Sequence, residues 1–337
     1  MIEVSGVKVP LARLDGTDET EARVVRGALL HKLRLPSPDV ASVELRRRSI
    51  DARKRDAIQL TYTVRAELTG GAKAETALIS HLASRHADGG VSRVTETPFS
   101  LPALSGPRPA ERPVVVGAGC AGLFCALALA RAGLEPLLVE RGDDAARRTR
   151  VVALHNETGV LDPESNIQFG VGGAGTFSDG KLQTGTKSDS HRLILETFVA
   201  AGAQRQILWD ARPHVGSDVL PGVVTRIVGM IEEAGGEVRC RCRLTDIDVT
   251  GGRVRSVTLE SRDDEGHPRE ERIDASCVVL ACGHSARDVF ELLRDHDVPM
   301  ERKTFAMGVR IEHLQADVDA VLYGRSAGHP ALGAAPY

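Results

Sequence analysis

Gly117, Gly119 and Gly122 stand in a G-x-G-x-x-G arrangement, and Glu140 follows 18 residues after the last of them. Each position suits a separate task. Gly117 permits a tight turn, Gly119 lets the backbone approach a pyrophosphate, and Gly122 lets a helix lie close on the strand before it. Ala118, Cys120 and Ala121 complete the turn, whose N–H groups at a helix N-terminus attract phosphate oxygens. A carboxylate at Glu140 can accept from both ribose hydroxyls of an adenosine and repels a 2′-phosphate, which favours FAD or NAD over NADP.

Such glycines do chemistry only when regular elements hold them. Val114 to Val116 form a β-branched run suited to a buried parallel strand, and the small and apolar residues from Ala121 to Ala132 predict a helix closed by Gly133. Leu137 to Val139 then predict the next strand, which Glu140 ends. Two other readings compete: a glycine-rich strand-to-helix turn with no ligand, and a membrane helix, since Pro113 to Ala130 carries no charge. The acid at the right distance argues against the first. The strand-like start, the glycines and the flanking Arg112 and Arg131 argue against the second.

Downstream, a charged helix is predicted near Asp143 to His155, followed by NIQFGVGGAGTFSDGKLQT at 166–184. Its glycines at 170, 172, 173, 175 and 180 offer backbone N–H groups to a cofactor or anion. Phe169 and Phe177 would be costly to expose, so the stretch reads as packed. Gly175, Gly180 and Lys181 fit most of a P-loop, but Leu182 stands where the magnesium-binding hydroxyl is needed, which excludes nucleotide hydrolysis. A helix at Leu220 to Ala234, a hairpin of Val238 to Val249 with Arg253 to Leu259, and a buried parallel strand at Ser276 to Cys282 complete the pattern. Gly283, His284 and Arg287 follow that strand, at the end where ligands bind.

Residues 1–96 read as a small domain of their own. Strands near Val4 to Val9, Ser42 to Ile50, Ile58 to Leu68 and Val91 to Thr95 alternate with a helix from about Glu19 to Lys32, capped by Thr17 or Asp18, and with one that Gly70 and Gly71 lead into and that ends near His86. The order β-α-β-β-α-β predicts a ferredoxin-like layer. Arg46 to Arg48 and Arg53 to Arg55 form its basic concentration. No stacking aromatics interleave them, so a solvated hairpin face is favoured over a nucleic-acid site. Four prolines mark 97–112 as a linker, and 113–337 as the second domain.

The 337 residues, 42% hydrophobic and 26% charged with a net charge of −3, suit a soluble two-domain protein with no bulk attraction to nucleic acid or anionic membrane. The start MIEVSGVKVPLARLDG is no signal peptide, so a cytoplasmic protein is expected. Cys120/Cys125 and Cys277/Cys282 have C-x4-C spacing, but helix and strand geometry point each pair apart, and buried free thiols are expected. The 11 histidines show no ligand clustering, so no metal is expected.

The strings SIDARKR, VVVGAGCAGLFCALALARAG, VERG, NIQFGVGGAGTFSDGKLQT, PHVGSD, ACGHSARD and FAMGVRIEH run nearly end to end, and through them the chain resembles the bacterial FAD-dependent dehydrogenases of the two-dinucleotide-binding flavoprotein type, uncharacterised NAD(P)/FAD-dependent oxidoreductases. The resemblance implies an α/β fold: a Rossmann-like FAD-binding domain with an inserted β-hairpin or meander, preceded by the ferredoxin-like domain. It implies FAD, with Gly117 to Gly122 at the pyrophosphate, Glu140 at the ribose, Arg141 among the cofactor-binding residues, and Gly172, Gly173 and Thr176 near the pyrophosphate or ring. Leu244 is placed near the adenine, and Ala281, Cys282 and Gly283 match the A-T-G segment of such flavoproteins. Asp179, Lys181 and His284 become candidates for proton transfer or charge stabilisation, and NAD(P)H a candidate electron donor. Such flavoproteins carry a second FAD segment near their C-terminus, and the sequence reaches AAPY at 334–337 without it, so it resembles an N-terminal portion. The alternatives are an NAD-dependent dehydrogenase without flavin, disfavoured by the hairpin and by the lack of further strand–helix units after Glu140, and an RNA- or partner-binding protein with a structural FAD. Substrate and electron acceptor are left open.

Overall fold

Strand alternation builds the first layer. Ile58, Leu60, Tyr62, Val64 and Ala66 all lie on one buried face, the last four along β3 (Gln59–Leu68). A computed structural model describes residues 1–84, 90–94, 99–178, 180–182, 184–186, 188–263, 265–309 and 311–336. The chain divides into two units, one of Met1–Pro98, Gln206–Pro213 and Phe305–Tyr337, the other of Phe99–Arg205 and His214–Thr304.

In the first unit β1 (Ile2–Pro10), α1 (Asp18–Leu33), β2 (Val40–Asp51), β3, α2 (Gly71–Ser84) and β4 (Val91–Arg93) follow in order. The strands pair antiparallel as β2-β3-β1-β4, the ferredoxin-like arrangement. Thr17 caps α1, its hydroxyl accepting from Thr20 N at 3.3 Å. His86 and Thr95, where the sequence reading ended a helix and a strand, lie outside the described residues. Val24, Val25 and Leu29 of α1 pack on the buried strand face, and Tyr323 of α8 (Gln315–Tyr323), Leu332 and Ala335 join the same core.

The basic hairpin is not simply a solvated face. Arg48 Nε and Nη2 donate to Asp210 Oδ1 and Oδ2 at 2.7 and 3.1 Å, and Nη1 donates to both oxygens of the buried Glu21 at 3.3 Å. Tyr62 donates to Glu21 at 2.6 Å, while Arg48 N reaches Trp209 O at 2.6 Å. Burial, with Glu21 beside it, pushes the Tyr62 phenol up. The reading from sequence missed this because Asp210 and Trp209 are some 160 residues away in the chain.

In the second unit β5 (Val114–Val116), β6 (Leu137–Val139) and β7 (Glu237–Arg239) are three neighbours of a parallel sheet, with α3 (Cys120–Arg131) between β5 and β6 in the chain, and β11 (Val278–Leu280) adds the fourth strand in the order β11-β5-β6-β7. α4 (Ala145–Thr158), α5 (Ser190–Ala200) and α6 (Leu220–Glu233) lie between β6 and β7 in the chain. β8 (Cys242–Thr250), β9 (Arg253–Arg262) and β10 (Pro268–Asp274) form a separate antiparallel meander, and α7 (Arg287–Asp295) follows β11.

Three sequence expectations need correction. The predicted strand 238–249 is two elements, because Arg241 takes a positive φ of 54° and turns the chain out of the parallel sheet into the meander. A further strand–helix unit therefore does follow Glu140, and β7 is its strand. β11 is parallel but not fully buried: it has a partner on one side, β5, and Leu280 is 36% exposed. α5, for which the sequence reading predicted no element, packs Phe198 against Phe124 of α3 at 5.4 Å between ring centroids.

Candidate functional site

At the C-terminal ends of β5, β6 and β11 lies a cavity of about 350 Å³. This is where an open parallel sheet reverses its strand order and binds ligands. The turn after β5 forms one wall. Gly117 has φ +99°, and a Cβ there would lie 2.6 Å from Ala281 O. A Cβ on Gly122 would lie 1.7 Å from Gly117 O, so only a glycine lets α3 approach the strand. Gly119, the N-cap of α3, is not crowded: the nearest atom to its Cβ position is Gly173 Cα, at a van der Waals distance of 3.9 Å.

Gly173 belongs to the second wall, the turn 170–176. Gly172 N donates to Ala118 O at 2.8 Å, so the two glycine turns meet backbone to backbone at the edge of the cavity. Gly172, Gly173, Ala174 and Gly175 all line it. Gly172 and Gly173 donate their own N–H groups to Ala118 O and Gly170 O, so the second turn lines the cavity as a wall without bulky side chains, facing the N–H groups at the start of α3 that suit a pyrophosphate.

Glu140 is 5% exposed, and its carboxylate accepts from three backbone amides: Ala118 N at 2.7 Å, Gly170 N at 2.9 Å and Gly142 N at 3.0 Å. The sequence reading gave this residue to a ribose. In the structure it first ties both glycine turns to the end of β6, leaving limited acceptor capacity toward the cavity it lines. Arg141 lies on the rim, paired with Asp288 at 2.8 and 3.1 Å and with Glu164 at 2.9 Å, its guanidinium 4.6 Å from the Phe169 ring centroid. Arg243 also lines the cavity, bridging Glu164 and Glu260, and its buried Nε has no partner among the described residues. The glycine cradle and this unsatisfied donor both fit a phosphate-bearing dinucleotide.

Of the residues the sequence reading placed at the cofactor, Gly117, Gly119, Cys120, Ala121, Glu140, Arg141, Gly172, Gly173, Leu244, Ala281, Cys282 and Gly283 line the cavity. Ala118, Gly122 and Thr176 do not. Ala118 and Thr176 are fully buried, and Thr176 Oγ1 faces inward, 3.2 Å from Arg148 Nη1 and 3.3 Å from Val171 O. Among the catalytic candidates, His284 lines the cavity and is exposed. Lys181 is not among the lining residues and forms a backbone bridge with His214, and Asp179 lies outside the described residues.

Arg148 is not distinguishable from sequence alone. This α4 residue has 0% exposure and donates to Asn166 O, Ile167 O, Gly170 O, Val171 O and Thr176 Oγ1 at 2.8–3.3 Å, with Phe177 4.9 Å beneath its guanidinium. Nothing in AARRTR separates it from its solvated neighbours.

All six cysteines are free, but the expectation that they are buried holds only for Cys242 in full. Cys120 opens onto the cavity from the first position of α3, and Cys277 precedes an edge strand; both are exposed. Burial pushes the Cys242 thiol up to about 11 and that of Cys240 to about 12, so neither is a thiolate at neutral pH. Away from the cavity, the β9–β10 turn gathers Asp263, Glu265 and His267 with ligand atoms within 4.8 Å of one another, a cluster the sequence spacing did not suggest; all three are exposed.

Residues 113–166 match the family described as FAD dependent oxidoreductase, residues 304–337 match the family described as FAD-dependent protein, C-terminal domain-like, and residues 1–67 match a domain of unknown function, DUF8436. An uncharacterized protein of Clostridium beijerinckii is 37% identical over 320 residues, 95% of this chain and 57% of that protein; the chain thus spans little more than half the length of this relative. Among solved structures, Thermovibrio ammonificans THI4 has a TM-score of 0.38 at 19% identity, covering 56% of this chain and 64% of that one. L-amino acid deaminase from Proteus vulgaris has a TM-score of 0.29 at 17% identity, covering 58% and 52%. No helix among the described residues is long and apolar enough to cross a membrane.

Proposed function

We propose that this chain, a FAD-dependent oxidoreductase by its dinucleotide segment and with FAD as its cofactor, carries the nucleotide-holding part of an enzyme that moves electrons between a reduced small molecule and a second acceptor. The observation that carries this is the pair of glycine turns facing one cavity at the switch point of the parallel sheet.

The residues divide the work. The N-terminus of α3 would hold the pyrophosphate with the Gly172–Gly175 turn as the wall beside it, Glu140 the ribose, and Leu244 the adenine. Ala281, Cys282 and Gly283 would lie along the remainder. When bound, FAD supplies reversible two-electron chemistry. The chain supplies position and dryness: Val116 and Val139 make an apolar floor, and Cys242 and Leu244 close one side. His284 is the candidate proton carrier, since it is titratable and reaches both the cavity and bulk water.

NADH or NADPH is the candidate donor. The reading is tested by the visible spectrum of the purified protein, with the released chromophore identified by chromatography, and then by anaerobic titration with each nicotinamide. A protein that stays colourless after incubation with FAD overturns it. His284→Ala is expected to keep FAD affinity within about threefold and to slow nicotinamide-driven flavin reduction on the order of 10²-fold. Stopped-flow reduction at the unaltered rate would remove His284 from the proton path.

A further inference from the structure

We propose that Arg148 is a positioning residue for the dinucleotide site: its buried guanidinium sets the 170–176 turn as the wall opposite the α3 N-terminus and so forms the pyrophosphate subsite. The inference rests on the FAD reading above and adds a residue that never touches the cofactor, since Arg148 is not among those lining the cavity.

The argument begins with the turn's own carbonyls. Those of the buried Asn166, Gly170 and Val171 converge with that of the exposed Ile167 on the Arg148 side chain, and the three buried ones need an internal donor in place of water. A guanidinium fits this need because it presents five N–H donors in a planar fork and accepts nothing. Nε serves Asn166, Nη2 serves Ile167, and Nη1 serves Gly170, Val171 and the Thr176 hydroxyl. The fit is close: a Cβ on Gly170 would lie 2.3 Å from Arg148 Cδ.

Peptide planarity carries the effect to the cavity. The C=O of a trans peptide points opposite to its N–H. Val171 O turns inward to Arg148 at 3.0 Å, and Gly172 N, at the other end of the same peptide, turns outward to Ala118 O at 2.8 Å. Arg148 therefore fixes how the second glycine turn docks on the first. No carboxylate hydrogen-bonds the guanidinium directly among the described residues. Burial pulls it down to about 10, with the Glu140 charge opposing, and it stays protonated at neutral pH. Its charge is available to favour an anion behind the turn.

The test uses the full chain with FAD, ADP and adenosine as probes. Arg148→Lys keeps the charge but offers three donors from one point, and Arg148→Met removes them all. Thr176→Val, which deletes the hydroxyl that accepts from Arg148 Nη1 and donates to Val171 O while leaving the guanidinium in place, provides a mild variant that is expected to fold. FAD and ADP affinity are expected to fall ~30- to 100-fold in the Arg148 variants and ~3- to 10-fold in Thr176→Val, with adenosine affinity by saturation-transfer NMR within about threefold throughout. Amide exchange at 170–176 should accelerate while that of β5 and β6 does not. Adenosine and ADP weakening together, or exchange at 170–176 unchanged, overturns the assignment. If the unaltered chain binds neither FAD nor ADP, the cofactor reading fails, and the exchange measurement still decides the role of Arg148 in the turn.

Discussion

Glu140→Gln is expected to destabilise the folded chain by about 2–4 kcal/mol and to abolish tight FAD binding, although it changes one atom. The carboxylate accepts from Ala118 N through one oxygen and from Gly142 N and Gly170 N through the other. An amide can accept through one end alone. If its oxygen keeps the pair at Gly142 and Gly170, its NH₂ is forced against the Ala118 N–H. One buried amide then loses its acceptor and meets a donor, and the remaining bonds lose their charge assistance. Because Ala118 O also anchors Gly172, the disturbance reaches both walls of the cavity. Urea denaturation without cofactor isolates the stability effect from FAD binding. A loss below about 1 kcal/mol with FAD still tightly held would show that these three bonds do not hold the turns.

Gly122→Ala is expected to be comparably severe for a different reason. Its Cβ would sit 1.7 Å from Gly117 O and 3.0 Å from Gly117 C, both backbone atoms that cannot rotate away. Relief requires α3 to move off β5 by roughly an ångström, which overpacking costs put at about 3 kcal/mol. The same displacement moves the helix N-terminus from its phosphate-facing position, and an error of that size is worth on the order of 10²-fold. Gly119→Ala is the control. Its Cβ meets nothing closer than 3.9 Å, so stability should be kept within about 0.5 kcal/mol while FAD binding is lost to a methyl group in the cradle. Equal stability in all three chains would refute the close-approach role of Gly122.

The turn at Gly117 and the close helix approach at Gly122 could be read from sequence because each follows from local geometry: a strand, a turn and a helix within 20 residues. The ferredoxin-like order was legible for the same reason, since the alternation along β3 and the helical spacing in α1 and α2 are short-range patterns. What escaped depended on distant partners or on a single dihedral. Arg148 stands among arginines in a polar helix, and its burial is decided by carbonyls 18 to 23 residues later. Thr176 looked like a ligand from its place in the loop, yet that same arginine turns its hydroxyl inward. The break at Arg241 falls between residues that otherwise favour one continuous strand, and no glycine announces its positive φ. Glu140 was placed correctly at the end of β6. Its amide partners were hidden because two of them belong to turns 22 and 30 residues away.

The first unit is discontinuous, and that has a consequence for how the protein is made. β1 leaves the ribosome more than 300 residues ahead of Tyr323, Leu332 and Ala335, yet Ile2 and Val4 share their core with them. The ferredoxin-like layer can pair its strands early, because β1 to β4 lie within the first 93 residues. Tyr323, Leu332 and Ala335 join that core only when translation has passed them. Arg48 and Glu21 likewise await Asp210. During the interval in which more than 200 further residues are added, the nascent layer presents a half-covered core and an incomplete ion-pair network, the condition in which partly folded chains are held by chaperones or aggregate.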